Sequence, residues 1–168
     1  REWSEVRAIS GAVVLAQEAS VCPAFSMVLK PVQPAWVRSP GLPILDDLDD
    51  DDLRFWGDEP YSQLAGDAYV ANRLLRKDDG SRLLPVIDAG EAGMGGGDLE
   101  YCALGEVREG AGLAILCQLR VAEKLQTIPA AERLLLNMLR RAHDFVAPPD
   151  ADVREAERTG PGAAVAAA

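Results

Sequence analysis

The chain is short of the residues on which most site chemistry depends. It has one histidine, three cysteines, and three each of tryptophan, tyrosine and phenylalanine in 168 residues. Cys22, Cys102 and Cys117 are odd in number and show no CxxC spacing, so neither a disulfide framework nor a zinc site is indicated. Cys102 and Cys117 lie inside apolar, strand-like runs, where cysteine acts as a small buried hydrophobe. Basic residues are outnumbered 17 to 27, and the formal charge of -10 repels phosphate backbones and anionic lipid surfaces. Nucleic acid is therefore not an expected partner. No apolar run reaches the length that spans a bilayer, and the N-terminal REWSEV lacks a signal-peptide pattern. No membrane partner is expected, and the expected location is cytoplasmic. An initiator methionine is also missing, which leads to the expectation of a piece of a longer chain.

What is present is ordinary for one globular domain: 48% hydrophobic and 26% charged residues, and enough length for a proper core. Residues 106–145 are the most informative. Leu113 to Leu119 is an almost unbroken apolar run bounded by Gly110, Gly112 and Arg120, which predicts a strand covered on both faces. From Thr127 the period changes. Leu134, Leu135, Met138, Leu139, Ala142, Phe145 and Val146 recur at helical steps, with Glu132, Arg133, Arg140, Arg141 and Asp144 opposite them. This predicts an amphipathic helix from Thr127 to Val146, with Thr127 as N-cap and Pro129 in the first turn.

Upstream, Glu2 to Ile9 reads as the last turns of a helix and Ala12 to Ala16 as a short buried strand, the αβ half of a parallel-sheet unit. Five prolines between Pro23 and Pro43 allow only short extended segments such as Ser26 to Leu29. Six aspartates then lie between Asp46 and Asp52. Contiguous acids without a turn glycine or a closing Glu do not make a calcium loop, and they fit the capped start of a short helix. Tyr69 to Arg76 and Arg82 to Asp88 flank an Asp79-Gly80 turn and predict a hairpin, with Pro85 marking an edge or a bulge. The glycine cluster from Gly93 to Gly97 is read as a surface loop, because a strand-like segment rather than a helix follows it. Leu99 to Arg108 and Gly112 to Leu119 predict a second hairpin across residues 109–111. Residues 148–168 have no apolar periodicity and are expected to be a disordered tail or linker beyond a domain of residues 1–147.

Gly110, Gly112, Cys117, Gln118, Leu119, Glu123, Lys124, Leu125, Pro129, Ala130, Leu134, Leu135, Asn137 and Leu139 form a recognisable pattern of glycine turn, apolar strand ending CQL, connector ending KL, Pro-Ala pair and leucine-rich helix. Together with LDDDDLRFW at Leu48 to Trp56, it resembles the C-terminal part of the class I glutamine amidotransferase-like accessory domain of β-galactosidase-type bacterial glycoside hydrolases. The resemblance spans about residues 12–145. It implies an α/β fold, a partial amidotransferase-like (flavodoxin-like) sandwich with β-hairpins and a C-terminal helix, forming the second half of such a domain. It also implies a glycosidase catalytic domain as partner in the same parent chain.

The chain's own residues do not supply a catalytic set. An amidotransferase needs a cysteine on a strained strand-to-helix elbow with a histidine beside it. Cys22 precedes Pro23, Cys102 and Cys117 sit within strand-like runs, and His143 lies at the end of the last helix beside Asp144. Only Asp88 and Glu106 fall at strand ends where a glycosidase carboxylate pair is conceivable. The expectation is thus a non-catalytic structural or interaction domain of a multidomain glycoside hydrolase, with no catalytic residue, cofactor or metal. The alternative is a sugar-binding or glycosidase module using strand-end carboxylates, with Trp36, Trp56, Tyr61 and Tyr69 as stacking platforms. An uncovered apolar sheet face is also expected, favouring homo-oligomers of the isolated chain.

Overall fold

The computed structural model of the chain describes residues 11–15, 27–32, 35–54, 56, 70–77, 82–90, 100–109 and 112–145. The described strands are β1 (Gly11–Leu15), β2 (Met27–Val32), β3 (Ala35–Val37), β4 (Ala71–Arg76), β5 (Leu83–Ala89), β6 (Tyr101–Glu109) and β7 (Gly112–Cys117). The helices are α1 (Asp50–Arg54), α2 (Val121–Lys124) and α3 (Pro129–His143), with a 3-10 turn at Pro43–Leu45. None is long and apolar enough to cross a membrane.

The sheet is built around β6. Leu104 pairs with both Ile87 of β5 and Cys117 of β7, while Cys102 pairs with both Asp88 of β5 and Leu75 of β4. A strand has two edges, so β5 runs along one, and β7 and β4 share the other. The sheet therefore forks, with β3 beyond β5, β1 beyond β7 and β2 beyond β4. The chain leaving β7 bridges the fork: the Gln118 N–H donates to the Ala103 carbonyl at 2.7 Å, Leu119 pairs with Ala71, and the Arg120 N–H donates to the Val70 carbonyl at 2.9 Å. The fold thus mixes helix with a mainly antiparallel sheet, and β1 with β7 is the parallel pair among the described residues.

The β6–β7 hairpin forms as the sequence predicts, with Glu109 opposite Gly112. The hairpin predicted across Asp79-Gly80 does not. β4 and β5 lie on opposite edges of β6, because a two-stranded ribbon is marginal alone and β6 offers each run a buried partner. Pro85 sits at an irregularity, as its missing N–H requires: the register shifts between Pro85 and Ile87, and the Val86 carbonyl turns to accept from the N–H groups of Arg38 and Ser39.

Two apolar clusters lie on the two faces of the sheet. Leu74, Ile87, Leu104, Ile115 and Cys117 pack on one face against Leu53, Trp56, Val121, Ala131, Leu134 and Met138. On the other face Leu75, Leu83, Cys102, Val107, Ala114 and Leu116 form a second buried cluster, with Met27 against it and no residue of a described helix in it. The described apolar residues of this face are buried, where an uncovered apolar patch was expected from the sequence. Among the described residues, the exposed large hydrophobics are Leu84 on β5 and Leu136 and Leu139 on α3.

The start of α3 is also corrected. Ile128 is the N-cap residue with no side-chain cap and Pro129 follows it, while the Thr127 hydroxyl donates to the Lys124 carbonyl at 3.0 Å. The buried face of α3 comprises Ala131, Leu134, Asn137 and Met138; Leu139, assigned to that face by its spacing, is half exposed. Asn137 is tolerated in the core because its Nδ2 donates to the Asp46 carbonyl at 2.8 Å.

The aspartate run behaves as a helix start. Asp49 Oδ1 accepts from the N–H groups of Asp51 and Asp52 at 2.9 and 3.1 Å, and Asp52 Oδ2 accepts from the Asp49 N–H at 3.1 Å, a reciprocal cap. Asp50 Oδ1 accepts from the Val37 N–H at 2.6 Å, which ties α1 to β3. The expected helix remnant before Gly11, the Gly93 to Gly97 loop, Cys22, Tyr61, Tyr69 and the tail lie outside the described residues.

Candidate functional site

Two polar constellations are built into the sheet, on opposite faces. Glu106 faces α3, flanked across the sheet by Leu84 and Ile115. It is only 1% exposed, and Arg141 grips both of its oxygens, Nε to Oε1 at 2.8 Å and Nη2 to Oε2 at 3.0 Å. Phe145 folds beneath this pair, its ring centre 5.5 Å from the Arg141 guanidinium carbon and 5.8 Å from that of Arg108. The hydrogen bonds to Glu106 push the Arg141 pKa further up, against an opposing effect of burial. Both carboxylate oxygens are occupied, so Glu106 works as an anchor for the end of α3.

The second constellation lies across the other face. Trp36 of β3 is directly opposite Asp88 of β5, and Asp88 is directly opposite Cys102 of β6. Directly opposed residues share a face, so these three side chains form a row. Two cations reach the same oxygen of Asp88: Lys77 Nζ at 2.9 Å and Arg38 Nε at 3.9 Å. The other oxygen, Oδ1, is buried without a hydrogen-bond partner. Beyond Cys102 the row reaches Leu75 of β4, and Gln118 lies outside it, past the end of β7, where its N–H pairs with Ala103. Its neighbours Cys117 and Leu119 belong to the helix-covered core, whereas Leu116 lies in the second cluster, so strand alternation puts the Gln118 side chain on the face of Leu116 and Cys102. Both polar atoms of its amide are buried and unpaired. Among the described residues, every buried side-chain atom lacking a partner belongs to Asp88 or Gln118.

The two described thiols are chemically quiet. Burial pushes Cys102 up from 9.0 to about 12, with Asp88 adding to the rise and Lys77 opposing it. Burial likewise pushes Cys117 up to about 12, against the weaker effect of its contact with the Leu119 carbonyl. Neither provides a thiolate near neutral pH. His143 is exposed at the end of α3, and its Nδ1 lies 2.7 Å from Asp144 Oδ1, remote in role from either constellation.

The acids singled out from the sequence, Asp88 and Glu106, are not brought together. Cys102, the partner of Asp88, lies four residues from Glu106 on β6, which is about 13 Å along a strand, and the two carboxylates face opposite sides. Trp56 is fully buried, with its Nε1 donating to the Asp52 carbonyl at 3.0 Å, so it is a core anchor and not a stacking platform. Trp36 remains partly exposed. Gln118 was not singled out for chemistry, although a lone amide in an otherwise apolar run is a signal that reading could have used. No group of three or more metal-ligating acidic, thiol or imidazole side chains occurs among the described residues, the aspartate run included. Compared with known protein families, with characterised proteins and with solved structures, the chain matches none.

Proposed function

We infer that the chain is a non-catalytic structural or interaction domain of a multidomain glycoside hydrolase, lying beside the glycosidase catalytic domain of the same parent chain. On this reading it is the second half of a class I amidotransferase-like, flavodoxin-like α/β sandwich. The family assignment comes from the glycine-turn, CQL and RLLLNML pattern around β7 and α3. The observation behind the non-catalytic part is the separation of Asp88 and Glu106. A glycosidase pair needs two carboxylates about 5 to 9 Å apart on one cleft, whereas these acids face opposite sides of the sheet and each is held by a cation. The buried thiols fit the same reading, since an amidotransferase nucleophile must ionise.

The test is to recover the complete gene encoding residues 1–168 and to express its product with and without this segment. A glycosidase that keeps its chemistry but loses thermal stability or assembly on deletion supports the reading. A parent protein without a glycosidase domain, or a glycosidase whose active site needs a side chain from this segment, refutes it.

A further inference from the structure

We draw no further inference here: the strongest candidate, the outward stripe of α3 on which Leu136 and Leu139 stand half exposed one turn apart, is an unpartnered apolar face, and nothing in the structure shows what covers it.

Discussion

Replacing Arg141 with leucine should destabilise the chain more than most single substitutions. The side chains of Arg141 and Glu106 are 18% and 1% exposed, and both Glu106 oxygens are taken by the guanidinium. Removing the cation leaves a carboxylate buried between Leu84 and Ile115 without a partner, which costs about 3–5 kcal/mol. That is a large part of a typical total of about 5–15 kcal/mol. At roughly 2–4 °C per kcal/mol for a chain of this size, the melting temperature should fall by about 6–20 °C. Replacing Glu106 as well should recover most of the loss, because two leucines of similar volume avoid the desolvation of both charges. Arg133→Ala is the control: its bond to Asp47 lies in solvent, with the two side chains 47% and 78% exposed, so little should change. Urea and thermal unfolding followed by circular dichroism measure all three. An Arg141→Leu variant within about 1 kcal/mol of the parent, or a double variant no more stable than the single one, would refute the view that this pair anchors α3.

Gly105→Ala should lose about 1–3 kcal/mol by denaturant unfolding, since a β-carbon there would meet Leu83 Cδ1 at 2.5 Å and the Leu84 carbonyl oxygen at 3.1 Å. The Cys102 and Cys117 thiols should react with a thiol reagent only as the domain opens. Their folded pKa values of about 12 lie above the ordinary 9.0, so the stability they contribute is complete below pH 9 and is lost as pH rises from 9 towards 12, because the unfolded chain ionises first. An alkaline melt of a Cys102→Ala/Cys117→Ala variant should show a shallower fall over that window. Asp49→Ala removes the acceptor for two N–H groups at the start of α1 and should cost about 1 kcal/mol, again measurable by urea unfolding.

Local patterns in the sequence are legible where one stretch decides its own structure. The β6–β7 hairpin, the short strand β1, the capped aspartate run and the helix after Pro129 all follow from periodicity and turn chemistry within a few residues. Sequence reading failed where a distant competitor decided the outcome. Asp79-Gly80 suggested that β4 and β5 pair with each other, but β6 takes one on each edge. Thr127 looked like a cap, yet its hydroxyl is committed to the end of α2. Leu139 has core spacing but lies half in solvent, while polar Asn137 is buried because Asp46 supplies an acceptor from across the fold. The second-face row was the least legible feature. Its members Trp36, Asp88 and Cys102 come from β3, β5 and β6, and only their register brings them together. Trp36 and Asp88 could be named from the sequence; their union with Cys102 could not.

Turnover by the purified 168-residue chain is the most direct measurement of what these buried polar groups are for. With glutamine and with aryl galactosides and glucosides as substrates, the expected result is a rate equal to the protein-free background at every pH from 5 to 9, because Asp88 and Glu106 face opposite sides of the sheet and the described thiols stay protonated over that range. Turnover above background that is lost in Asp88→Asn, Glu106→Gln or Cys102→Ala would contradict it.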